Sequence, residues 1–277
     1  MLEYFSNMPT QHRTILLVGG LALFWTIEAI LPLFHFKYNK WKHAGTNIFF
    51  TITTAVVNLP LAFMLVSACD WVVENGYGLL GWVTMPFWAQ AIVGLLVLDL
   101  ISAWFIHWLE HHVPWMWKFH IIHHADQEID VTSANRHHPG ESFFRFAFTL
   151  LAAVIVGAPM WLIFMYQTLS VIMTQFNHAN INLPIWLDKP LSWIIVTPHM
   201  HHVHHHYRMP YSNTNYGNIF SIWDRILGTF SEVDNSKLTY GLDTHMTPKE
   251  ANNIMELLKI PFTKYKGHIE YDEEEKL

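Results

Sequence analysis

The chain has 277 residues, of which 52% are hydrophobic and only 14% charged, with a formal net charge of −6. So apolar a balance excludes an ordinary water-soluble domain, and the lack of a basic stripe argues against a nucleic-acid partner. Cys69 is the single cysteine, so an intrachain disulfide is excluded as well.

Charge is also unevenly spread. No Lys or Arg occurs between Lys42 and Lys118, and none between Arg145 and Lys189. In chain order, residues 14–33 form an apolar run of roughly 20 residues, the length a hydrocarbon core requires, interrupted only by Glu28. Glu3 and the absence of an early basic cluster do not fit a cleaved signal peptide, so this segment is expected to persist. Pro32 and a loop with Lys37, Lys40 and Lys42 end it. A second run, 47–68, contains Pro60 and is predicted to kink there. The connection from Cys69 to Met85 carries Asp70 and Glu74 but no cation, so the positive-inside rule puts the lysine loop in the cytoplasm and this connection opposite. The third run, 87–109, then returns to the cytoplasmic face.

Residues 146–176 are apolar again, with Gly157-Ala158-Pro159 near the middle as a natural turn. A single span would strand the last histidines on the wrong side, so the pattern predicts a hairpin that enters the bilayer and returns. Each arm is expected to be shorter than, or barely as long as, a full span. Farther on, Thr247-Pro248-Lys249-Glu250 has the form of a capping box, and Pro261 ends the short helix it starts. The predicted fold is therefore an all-α integral membrane protein of one domain. It has about three transmembrane helices, a bilayer-dipping hairpin, a cytoplasmic histidine-rich helical cap formed by 110–145 and 177–265, and an acidic tail, 266–277. The membrane would be the inner membrane of a bacterium or the endoplasmic reticulum of a eukaryote.

Fifteen of the twenty histidines lie between His107 and His206. On a helix, residues three and four apart share a face, so His107 can pair with His111, His120 with His123 or His124, and His201 with His204 or His205. One such pair is weak evidence, because an isolated histidine is commonly structural. The boxes together with His138 and His178 offer at least ten imidazoles, more than the roughly four of one zinc site, and imply two ions. Imidazole accepts iron, zinc, copper and nickel alike, so the ligand type does not name the metal. His107-Trp-Leu-Glu110-His111 also fits a zinc peptidase with Glu110 as general base, which leaves the other boxes idle, and intramembrane polar groups fit a metal transporter, which predicts ligands spread through the bilayer, whereas here most lie at helix ends and in polar segments.

The order of these boxes, with Arg136-x-His138-Pro139-x-Glu141, His178-Ala-Asn180, Asn215-Tyr216-Gly217 and Trp223-Asp224-Arg225, resembles the membrane-bound fatty acid hydroxylase and sterol desaturase superfamily. The likeness runs from about residue 98 to 230. It implies a di-iron oxygenase that hydroxylates or desaturates an unactivated C–H position of a lipid, using O2 and electrons from a separate ferredoxin or cytochrome b5 type donor. Zinc could replace iron on purification. Carried over by position, the implied metal ligands are His107, His111, His120, His123, His124, His138, His178, His201, His204 and His205. His112, His137, His199, His202 and His206 fall where the pattern does not require histidine. Arg136, Glu141, Asn180, Asn215 and Asp224 are expected to support the ligands. Asp99, at membrane depth eight residues before His107, or else Glu110, is expected to accept a ring N–H from a liganding histidine.

Overall fold

In the computed structural model, which describes residues 2–264 and Gly267, three stretches are long and apolar enough to cross a membrane: Thr10–Ile30, Lys40–Trp82 and Phe87–His112. After a short α1 (Leu2–Ser6), α2 (Thr10–Ile30) stops before Pro32, slightly earlier than the apolar run suggests. Glu28, which breaks that run, is buried. It pairs with Lys40 at 2.8 Å and accepts the backbone N–H groups of Val131 and Asn180. A charge in the first helix thus fastens it to two loops of the cap.

The second span is longer than 47–68. Helix α3 (Lys40–Glu74) runs unbroken through Pro60. Its first turns belong to the cap: His43, Asn47 and Phe50 are buried, and Phe50 packs with Trp117, Ile121, Ile122, Leu242 and Leu257. A short α4 (Leu79–Trp82) leads to α5 (Phe87–Asp99), which continues through a π-helical turn, Leu100–Phe105, into α6 (Ile106–His112). Pro114 then starts α7 (Pro114–His124) at the N-terminal position its fixed φ favours.

The hairpin forms where predicted. Helices α8 (Glu141–Val156) and α9 (Met160–His178) flank Gly157, which adopts φ +70° as the left-handed terminator of α8. At 16 and 19 residues the arms measure roughly 24 and 28 Å. The turn meets the connection after α3: a Cβ on Gly78 would lie 2.3 Å from the Gly157 nitrogen, so two backbones touch there. Leu65, Leu98, Ala152, Val156, Leu162 and Ile163 form the apolar core between these helices.

Beyond α9 come α10 (Ile185–Leu191), α11 (Pro198–His204), α12 (Ile222–Ile226), α13 (Pro248–Asn252) and α14 (Ile254–Lys259). The capping box is present, with Thr247 and Glu250 bonded reciprocally. The described residues contain isolated bridges but no strand. Apart from Gly267, the predicted acidic tail lies outside the described residues.

Candidate metal centre

Helices α6, α7, α9 and α11 converge with their histidines facing inward, and two groups of buried rings result. His107, His111, His120, His124 and His204 form the first; His123, His178, His201 and His205 form the second. In each group the nitrogens available as ligands lie within 4.8 Å of one another. Helical spacing explains the division. His120 and His124 share one face of α7 and join the first group, whereas His123 is turned toward α9 and joins the second. Helix α11 and the residue after it serve both groups, His204 the first and His201 and His205 the second.

The tautomers follow from what stands behind the rings. His107 Nδ1 donates to the Tyr216 carbonyl at 2.9 Å, and His204 Nδ1 donates to that of Thr214 at 2.7 Å. His111 Nδ1 lies 3.0 Å from Asn213 Oδ1, and His120 Nδ1 lies 3.1 Å from Glu141 Oε1. Acceptors there place the proton on Nδ1 and leave Nε2 with a bare lone pair. In the second group His178 Nδ1 donates to the Thr174 carbonyl at 2.8 Å, while Nδ1 of His123, His201 and His205 has no hydrogen-bond partner among the described residues.

The same Nε2 atoms face one another. His107 and His120 approach to 3.1 Å, as do His123 with His178 and His178 with His201; His201 and His205 approach to 3.2 Å. For His107 and His120 both protons are on the far nitrogens, so two lone pairs would repel unless a cation lay between them. A metal bonded to each nitrogen at about 2.0–2.1 Å with an angle of roughly 90–110° requires N···N separations of about 2.8–3.4 Å. The rings fit such an ion. Burial also keeps them unprotonated: it pushes His123, His124, His201 and His205 well below the ordinary imidazole value, and His204 to about 3. His120 is lowered to about 4 by burial, although Glu141 opposes the shift.

Nine of the ten histidines singled out in the sequence meet here. His138 does not. It follows the 3-10 turn Val131–Asn135, and its Nε2 points to the Leu258 carbonyl at 3.3 Å while Nδ1 accepts the Gly140 N–H. Its neighbour His137 takes the inner position instead, stacking on His123 with ring centroids 4.5 Å apart and placing Nδ1 2.9 Å from Glu141. His202, set aside in the sequence, is fully buried and bonds Tyr240 Oη and the His178 carbonyl, bracing the second group.

The supporting residues divide in the same way. Glu141 accepts from His120 and pairs with Arg145, which also bonds Glu110. Glu110 itself stands 3.7 Å from His120 Nδ1, beyond hydrogen-bonding reach. The expected contact between Asp99 and a histidine gives way to a different one. Asp99 accepts from the Ile219 and Phe220 backbones and from Trp223 Nε1, so its partners offset its burial without touching a ring. Asp224 collects Trp104 Nε1, Tyr216 N, Gly217 N and the Thr229 hydroxyl. It thereby fixes the turn whose carbonyls hold His107 and His204. Asn215, at φ 54°, ties the same turn to Met200 and Ser231. Asn180 bonds only the Phe34 backbone with its side chain, and buried Arg136 joins the Ile122 and Ala251 carbonyls to Asn47. Both hold loops together at a distance from the rings. The backing carbonyls of Thr214 and Tyr216 were beyond side-chain reading; Asn215-Tyr216-Gly217 was the only trace of them.

A cavity of about 410 Å³ opens beside both groups, touching His107, His123, His178 and His201. Comparisons with known proteins agree with this geometry. The fatty acid hydroxylase family model matches residues 91–229. Ornithine lipid hydroxylase OlsE of Rhizobium tropici is 29% identical over 179 residues, covering 65% of this chain and 52% of that protein. Alkylglycerol monooxygenase of Xenopus tropicalis is 31% identical over 198 residues, 67% of this chain and 40% of that protein. Methylsterol monooxygenase 1 of Rattus norvegicus is 28% identical over 152 residues, 53% and 50% respectively. The chain spans about half the length of the curated relatives it matches, or less. No solved structure matches.

Proposed function

The chain belongs to the fatty acid hydroxylase family, and from that premise we propose that it is a membrane-bound di-iron oxygenase acting on an unactivated C–H position of a lipid. The observation that carries this reading is the pair of buried imidazole groups with lone pairs held at metal-spanning distance beside one cavity. The proposed ligands are the nine converging histidines. His138 is left out, and Glu141, the Thr214 and Tyr216 carbonyls and His202 orient the rings. Two bound iron ions would supply the reduction of O2 that hydroxylation or desaturation needs.

The residues of the chain do the rest. Nδ1 acceptors keep Nε2 of His107, His111, His120, His204 and His178 free to ligate, burial excludes water from the rings, and the cavity presents the lipid to both groups at once. Glu110 is engaged by Arg145, which argues against its use as the free base of a peptidase. Electrons come from a separate donor of the ferredoxin or cytochrome b5 type, and the histidine cap lies on the cytoplasmic face with the lysine loop. Metal analysis of the detergent-purified chain, followed by O2 consumption after reconstitution with ferrous iron and reductant, tests the reading. About two irons per chain and lipid-dependent O2 uptake are expected; one tightly held zinc with no O2 uptake would overturn it.

A further inference from the structure

The cavity beside the histidines is not the apolar tunnel that a hydrocarbon tail would favour. A second space of about 290 Å³ shares Asn58, Asn135, His137, Arg145, Thr149 and Gln167 with it, so the two adjoin. The second space continues past Leu61 and Leu65 of α3 and Phe146 of α8, between helices that face lipid. Together they form a chamber leading from the rings to the bilayer through the gap between α3 and α8.

Two primary amides stand in its wall. Asn58 lies in the middle of α3, and Gln167 lies three turns before His178 on α9, roughly 16 Å along the helix axis. Both are exposed to the chamber, and neither side chain hydrogen-bonds another described residue. The contrast with the nearby hydroxyls is informative. Thr149 bonds the Arg145 carbonyl, Ser102 bonds the Leu98 carbonyl, and Thr174 bonds that of Ser170, each satisfying its own donor within a helix turn. An amide on a helix within the bilayer is costly unless something bonds it. Nor is a cation free in the wall, because the Arg145 guanidinium is already met by Glu110 and Glu141.

We propose that Asn58 and Gln167 are specificity-determining residues that hydrogen-bond an uncharged polar group of the lipid substrate, such as a hydroxyl or amide, within the chamber. Each amide offers donors and an acceptor, which suits a neutral group able to do both. A carboxylate or phosphate would find no unmatched charge there and would lose its hydration on entry. The inference rests on the lipid-oxygenase reading, yet it concerns binding and is measured without turnover.

The test is a scintillation proximity assay on the full chain in detergent, with tritiated hexadecanol displaced by unlabelled hexadecanol, hexadecanoate or hexadecane. Hexadecanol should bind at least about tenfold more tightly than either of the others, and Asn58→Leu or Gln167→Leu should each weaken it about five- to tenfold, as for the loss of one hydrogen bond. Hexadecane binding should stay unchanged in both variants. Asn58→Gln, which keeps the amide, should retain most of the preference, and Ser67→Ala, on the same helix away from the chamber, should retain all of it. Equal affinity for alcohol and alkane, tighter binding of the acid, or equal loss for all three ligands in the leucine variants would overturn the proposal. Iron content is measured on the same samples. After reconstitution with ferrous iron, selectivity with no iron bound would sink the oxygenase reading and leave the lipid-binding role of the two amides standing, whereas iron without selectivity would do the reverse.

Discussion

In the five-ring group His107, His111, His120 and His204 each present Nδ1 to a protein oxygen, whereas in the four-ring group only His178 does so. The first group is thus oriented before any metal arrives. The second depends more on packing: His137 stacks on His123, and buried His202 braces α11 against α9. An oriented ring loses less freedom on ligation and is the better base, so the five-ring group should hold its ion more tightly. On the proposed di-iron reading, one position would be anchored and the other could adjust as substrate and O2 arrive.

The largest effect that could break this comparison comes from deleting a ring. His178→Ala leaves the smaller group with three rings and should reduce iron from about two per chain to one, with turnover falling by more than the roughly 100-fold typical of losing a backing group. His124→Ala leaves four rings in the other group and should retain more metal; metal analysis of the two variants in parallel decides between them. Next in size is Glu141→Ala, which removes the acceptor behind His120 and should weaken the five-ring site about 10- to 100-fold while sparing the other. Equal weakening of both sites in a competition titration with a chelator would show that the groups are not independent.

Acidity gives a smaller, graded separation. His120 and His204 are lowered in the folded chain to about 4 and about 3, against about 6.5 when unfolded. Between those values the unfolded chain binds more protons, so these two rings make the metal-free protein more stable as pH rises to about 6.5 and add no pH dependence above it. Thermal unfolding of the metal-free chain should show a clear loss of stability from about pH 6 to about pH 5. Because the rings stay neutral in the folded chain down to about 4, iron should leave the folded protein only as pH falls to about that value, from the four-ring group first. Smallest is Asp99→Asn. An amide oxygen still accepts from Ile219 or Phe220, so a cost of about 1–2 kcal/mol in stability with unchanged metal content is expected. Loss of iron in this variant would instead tie Asp99 to the rings.

The helical pairs were readable because i and i+4 spacing places His107 with His111, and His120 with His124, whatever surrounds them. The turn at Gly157 was readable because glycine and proline interrupt an apolar run there. The exchange between His137 and His138 was not, since neighbours in a loop ending in Pro139-Gly140 have no helical phase to separate them. His137 and Glu141, four apart, were the one available signal. Asp99 misled because distance along the chain put it under His107, while its partners come from residues 219–223. The Thr214 and Tyr216 carbonyls are backbone groups brought in by a turn more than a hundred residues after His107, and side-chain patterns carry no record of them.

The division of α11 between the two groups also sets an order of events in biosynthesis. His201, His204 and His205 follow the hairpin in the chain, and the Gly157 turn packs on Gly78 of an earlier helix connection. Neither group can close until the hairpin has entered the lipid beside α3 and come back. On the proposed di-iron reading, iron loading would therefore be a late, post-insertion step, and a chain stalled before residue 205 would carry half-built sites with no ion committed to them.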